Sequence, residues 1–267
     1  MDAQSSESEK TTPASEVVLA VRPNEPPYPS QLRAWFTVAV LMGIYINSFL
    51  DRQILSLLVE DIKDSLTLSD TQIGMIMGPA FAIFYAFAGL PIGWLVDRKS
   101  RPLIIIIGQV FWTIASFSCG LSNRFWQLMT FRVGVGVGEA TLSPSAYSII
   151  ADSFPLTKIA TALGVYGMGI TLGANLAQIV GAWALSLMDA GETIVLPVVG
   201  ERYRWQIVFF IICLPTIPLT LMMLFVRFLP MINIFETKET VHHFKHKNGK
   251  PDGVAPAAAQ EDSDVTR

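Results

Sequence analysis

Gly93-Trp94-Leu95-Val96-Asp97-Arg98-Lys99-Ser100-Arg101 is a charged stretch wedged between two apolar runs, about 71–96 and 102–121. Each run is long enough to cross a hydrocarbon core, which takes roughly 20 residues. The stretch is too short to hide its charges, so it sits in water, and its three basic residues predict the cytoplasmic side of a membrane. Asp97, at the end of the first run, is placed to meet cationic neighbours or the positive N-terminus of another helix. A hairpin of this kind requires the rest of the chain to be read as spans and loops.

The composition agrees. Of 267 residues, 51% are apolar and only 15% are charged, and the mean hydropathy is well above zero, which soluble domains rarely match. The formal net charge of −3 matters less than its distribution over loops, and no nucleic-acid surface is indicated. The chain has no Gly-rich nucleotide loop between strand and helix, no metal-ligand spacing in a span and no nucleophile constellation. Neither an enzyme nor a cofactor is therefore expected. Cys119 and Cys213 both lie in apolar runs, where they act as small hydrophobes.

The hydropathy predicts an all-α membrane protein with six spans at about 34–58, 71–96, 102–121, 125–151, 159–187 and 205–228. Residues 1–32, rich in Ser, Glu, Thr and Pro, read as a solvated tail. The bundle then covers 33–230, and 231–267 is a second polar tail or a linker. The tail histidines His242, His243 and His246 interleave with lysines and read as solvated. A cleavable signal peptide is not expected, because the first apolar run follows a long polar segment. Thirteen Lys and Arg residues fall on the Arg98–Arg101 side and four on the other, so both termini are expected to be cytoplasmic, at the plasma (inner) membrane. Trp35, Trp94, Trp126, Trp183 and Trp205 lie near span ends, as an aromatic belt requires.

Small residues recur every four positions and predict close helix packing. Gly74, Gly78, Ala82 and Ala86 line one face of the second span, with Gly89 and Gly93 at its end. Gly169, Gly173, Ala177 and Gly181 do the same in the fifth, and Gly134 and Gly138 in the fourth.

Four charges fall inside spans: Asp51 and Arg52 late in the first, Arg132 and Glu139 in the fourth. Each costs roughly 2.5–3.5 kcal/mol near the bilayer centre, so four unpaired charges would cost on the order of 10–14 kcal/mol. Two acid–base couples remove most of that cost. Arg132 and Glu139, two helical turns apart, share one face. Asn47, one turn before Asp51, is placed to line the same cavity. Either acid can pair with either base. A carboxylate takes up a proton more readily once a neighbouring guanidinium moves away, so such couples tie protonation to conformation. The plainer reading is that the charges only staple helices together.

The Gly93, Asp97, Arg98 and Arg101 pattern resembles the signature loop between the second and third helices of major facilitator superfamily transporters. Two positions depart from it: Ser100 stands where the family has a tight-turn Gly, and Pro102 where it often has a basic residue. Arg132-Val133-Gly134-Val135-Gly136-Val137-Gly138-Glu139-Ala140 resembles the family's fourth-helix motif, which is linked to proton coupling. Asp51-Arg52, Gly136 to Ala140 and Ile150-Ala151-Asp152-Ser153-Phe154-Pro155 most resemble the spinster-like branch, whose members move lysolipids and sphingoid phosphates. The organic anion:cation symporters share the Asp-Arg and Gly-Glu-Ala features. The Gly-Pro signature of drug antiporters is missing from the fifth span.

The resemblance covers about 34–228 and implies the N-terminal six-helix half of a family whose members have two such halves. It implies a proton-coupled secondary transporter of an amphipathic or organic-anion small molecule, in the bilayer, with a second six-helix half as partner. The opposing expectation is a six-helix body that moves nothing.

Overall fold

The computed structural model describes residues 28–186, 193–197 and 200–228. The expected tail 231–267 and most of 1–32 lie outside the described residues, as do the three tail histidines. The helices in chain order are α1 (Gln31–Leu57), α2 (Val59–Leu66), α3 (Asp70–Met77), α4 (Pro79–Val96), α5 (Arg101–Cys119), α6 (Phe125–Glu139), α7 (Leu142–Ser153) and α8 (Leu156–Ser186). A strand pair follows, β1 (Thr193–Leu196) and β2 (Gly200–Tyr203), and then α9 (Arg204–Cys213) and α10 (Thr216–Phe228).

Five stretches are long and apolar enough to cross a membrane: Gln31–Leu57, Asp70–Val96, Arg101–Cys119, Leu156–Ser186 and Arg204–Arg227. The first begins at Gln31 and the fifth at Leu156, each three residues earlier than the hydropathy places it. The remaining expected span, 125–151, is not one uniform helix. Its halves α6 and α7 are each too short to span alone, since a span takes about 20 residues. They run on through Ala140 and Thr141, whose backbones keep right-handed helical angles. Pro144 explains the break: it has no N–H for the Ala140 carbonyl, and its ring crowds that turn. In the turn before it, Thr141 Oγ1 donates to the Gly138 carbonyl at 2.8 Å. Pro79 divides the second span in the same way, between α3 and α4, and Pro215 the sixth, between α9 and α10.

Two apolar clusters fill the interior. One holds Val38, Leu41, Ile44 and Tyr45 of α1 with Ile105, Trp112, Ala146, Ile150, Tyr166 and Met223. The other holds Leu50, Ile54 and Leu58 with Ile62, Ile76, Leu128, Ala177, Trp205 and Phe209. Between them α1 places Asn47 and Ser48, both buried, so a polar layer crosses the bundle at mid-span.

The fifth span packs on the first through its small residues. A Cβ at Gly169 would lie 3.3 Å from the Met42 carbonyl, one at Gly173 2.6 Å from the Ile46 carbonyl, and one at Gly181 2.5 Å from Leu57 Cδ1. The second span differs from expectation. Gly74, Gly89 and Gly93 meet nothing within 4 Å of a built Cβ, and Ala82 and Ala86 are exposed. No element of this chain covers that face among the described residues.

At the end opposite the Gly93–Arg101 hairpin, side chains clasp α2 to α9. Asp61 accepts from Arg204 Nε and Nη2, both at 2.6 Å, and Trp205 Nε1 donates to Ser65 Oγ at 2.8 Å. Trp205 is therefore buried packing and not part of an interfacial belt, whereas Trp94, Trp126 and Trp183 are exposed. Ser69 and Gln72 form a reciprocal capping box that starts α3. Lys63 pairs with Asp70 at 2.5 Å. Hydrogen bonding to that carboxylate, and its charge, hold the Lys63 ammonium above the usual lysine range.

The strand pair was not expected from hydropathy. Thr193 lies opposite Tyr203 and Leu196 opposite Gly200. Thr193, Ile194 and Val195 suit a pleated backbone, and Gly200 takes φ +82°, which favours a residue without Cβ.

Candidate functional site

α1 brings Asp51 and Arg52 to mid-bundle on adjacent positions, so their side chains diverge by about 100° and reach different neighbours. α6 presents Arg132 and Glu139 two turns apart. Close approach of backbones sets the spacing between these elements. A Cβ at Gly138 would lie 2.7 Å from Trp112 Cβ, one at Gly134 3.1 Å from Ala115 Cβ, and one at Gly136 2.7 Å from the Phe81 carbonyl. These glycines let α6 settle against α5 and α4, which carries the two charges of α6 up to α1.

The pairing that spacing left open is a cross-pairing. Arg52 Nε donates to Glu139 Oε2 at 2.6 Å. Arg132 Nη1 lies 4.0 Å from Asp51 Oδ2 and donates to the Asp51 backbone carbonyl at 3.4 Å. Arg132 and Glu139 share a helix face without pairing with each other. Each couple thus ties the first span to the fourth.

Two serines that the sequence reading did not single out complete the site. Ser48 Oγ donates to Glu139 Oε2 and Ser116 Oγ to Asp51 Oδ1, each at 2.7 Å. Ser48 stands one turn before Arg52 and was detectable by helical spacing. Ser116 lies in the third span, with no local signal. Asn47 and Asp51 line a narrow crevice with Trp112, Thr113, Ser116, Cys213 and Thr216. Asn47 Oδ1, Asp51 Oδ2, Glu139 Oε1 and Arg132 Nε and Nη2 have no hydrogen-bond partner among the described residues.

The two couples differ in access. The Arg52 side chain is 23% exposed, against 0% for Glu139, 2% for Arg132 and 4% for Asp51. Removing one partner of such a buried pair strands a charge and costs roughly 3–5 kcal/mol.

In the signature loop, Arg98 stacks over Trp94 at 3.9 Å. Arg101 pairs with Asp152 of α7 and donates to the Ser148 carbonyl at 3.3 Å, tying the start of the third span to the end of the fourth. Asp97 is exposed and has no ion pair among the described residues. Ser100 takes φ −61°, so this turn does not call for the glycine that the resemblance leads one to expect.

Comparison with known proteins follows the same lines. The chain is 31% identical over 167 residues to a probable L-galactonate transporter of Escherichia coli, covering 61% of this chain and 37% of that protein. It is 31% identical over 173 residues to protein spinster homolog 3 of Danio rerio, covering 60% and 34%. Among solved structures it resembles a bacterial homolog of the human lysosomal transporter spinster, in an inward-facing, unoccupied conformation. The TM-score is 0.65 and the identity 34%, over 74% of this chain and 44% of that one. The chain thus spans less than half the length of these relatives. The sequence model of the Major Facilitator Superfamily matches residues 41–259, and the chain belongs to that family of membrane transporters.

Proposed function

We propose that this chain supplies one six-helix half of a proton-coupled secondary transporter for an organic-anion or amphipathic solute. The observation that carries the reading is the cross-paired set Arg52–Glu139 and Arg132–Asp51 between the first and fourth spans, in which Arg52 is the one side chain not buried by the rest of the bundle. An anionic solute approaching Arg52 competes with Glu139 for it. Glu139 released from Arg52 is then the better proton acceptor, and a proton bound differently in two conformations shifts the balance between them. Asn47 and Asp51 belong to the same polar layer and respond with it. The galactonate relative supports a carboxylate solute, and a lysolipid or sphingoid solute is what the spinster-like resemblance of the sequence implies.

The test is Glu139→Gln in the chain expressed with its second six-helix half and reconstituted in proteoliposomes. Gradient-driven accumulation should be lost while solute exchange persists. A pair that only staples helices predicts a different outcome: Glu139→Gln destabilises the bundle by about 3–5 kcal/mol, Arg52→Gln rescues it, and coupling in the folded fraction stays normal.

In the same reading the Gly93–Arg101 loop and both termini face the cytoplasm at the plasma (inner) membrane, from the thirteen-to-four bias of basic residues. A cysteine replacing Ser100 should resist an impermeant reagent added outside intact cells, and ready labelling there would reverse the orientation.

A further inference from the structure

We infer that Phe49, Phe81 and Tyr85 form an aromatic clamp that positions the Arg52 guanidinium, and that Gly136 and Gly173 set the clamp by admitting the backbone that carries two of its rings. The inference rests on the reading of Arg52–Glu139 as a working ion pair. The Arg52 Cζ lies 4.9 Å from the centroid of Phe49, 4.6 Å from that of Phe81 and 4.9 Å from that of Tyr85. Arg132, by contrast, lies near one ring, Phe209, at 5.0 Å. Of the two paired arginines, the more exposed one is the one surrounded by rings.

The rings are themselves held. Phe81 stacks on Tyr85 at 5.5 Å and 22°, and Phe49 meets Tyr45 edge-on at 5.1 Å. The Tyr85 hydroxyl lies 3.5 Å from Ser143 Oγ. A Cβ on Gly136 would come within 2.7 Å of the Phe81 carbonyl, and one on Gly173 within 2.8 Å of Phe49 Cβ. Gly136 of the fourth-helix motif and Gly173 of the small-residue stripe in the fifth span therefore abut the residues whose rings face Arg52.

Ring faces attract a guanidinium through their quadrupole. They offer it no carboxylate and do not neutralise it. A base held this way keeps its place when its acid partner loses charge or turns to a proton, so the pair can break and re-form without Arg52 swinging away. Phe49, Phe81 and Tyr85 are in this sense positioning residues.

The test replaces Phe81 with mono-, di- and trifluorophenylalanine in the full chain, which weakens the quadrupole with little change of size. The melting temperature of the purified protein should fall stepwise, by about 2–4 °C over the series. In an Arg52→Gln/Glu139→Gln double variant, which leaves no stranded charge, the series should be flat. An equal fall in both backgrounds, or no fall in the parent, overturns the clamp, because a ring that merely packs does not sense the charge of Arg52. Gly136→Ala and Gly173→Ala should each shrink the fluorine effect, and an undiminished effect in both removes the glycines from the proposal. The series is read in folded protein without transport. A graded series beside normal coupling in Glu139→Gln would therefore discard the coupling reading alone, and a flat series beside lost coupling would discard the clamp alone.

Discussion

The second and fifth spans carry the same sequence device and use it differently. Each repeats a small residue every four positions, Gly74 to Ala86 in one and Gly169 to Gly181 in the other. In α8 the stripe is sealed against α1, with built Cβ atoms 2.5–3.3 Å from α1 at Gly169, Gly173 and Gly181. Along α3 and α4 the corresponding stripe stays open: built Cβ atoms on Gly74 and Gly89 meet nothing, and Gly78 meets only the Gly74 carbonyl of its own span at 3.7 Å. Spacing establishes that a helix can be approached closely. Whether something of the same chain does so depends on how the helix is rotated in the bundle.

The comparison can be broken most directly by substitution. Gly173→Ala forces a methyl against the Ile46 carbonyl, and we expect it to cost about 1–3 kcal/mol, read as a lower melting temperature in detergent. Gly74→Ala should do the opposite and gain about 0.5–1 kcal/mol, since it stiffens the unfolded chain and meets no neighbour. Equal losses at both sites would mean that the open face is covered in solution. The smallest effect, and the sharpest contrast, is chemical. Ala82→Cys should react readily with a maleimide in detergent and Ala177→Cys should not, over a low background because Cys119 and Cys213 are buried. Slower labelling at Ala82 on co-expression with a second half would identify what covers the face.

The ion pairs show the same division between local pattern and three-dimensional placement. Asp51, Arg52, Arg132 and Glu139 stand out in sequence because a charge in an apolar run is conspicuous and costly wherever it sits. Their pairing did not follow, since Arg132 and Glu139 share a face but each reaches across to α1. The aromatic neighbours of Arg52 were invisible for a related reason: Phe81 and Tyr85 sit in a run already rich in Phe and Ala, where one more ring carries no signal. Trp205 misled in the other direction. Its place near a span end read as an interfacial belt, but the clasp around Asp61 and Ser65 draws it inside.

Sequence by itself determined the membrane-spanning helical class, the approximate spans, the four intramembrane charges and the family resemblance. These are sums over neighbouring residues, in which apolar length and the cost of a charge in lipid count the same whatever lies alongside. Tertiary structure alone decided the cross-pairing of the charges, the rings around Arg52 and which glycine face is closed. Each of those depends on the rotation and distance of one helix relative to another, and a turn of one residue, about 100°, would exchange every partner.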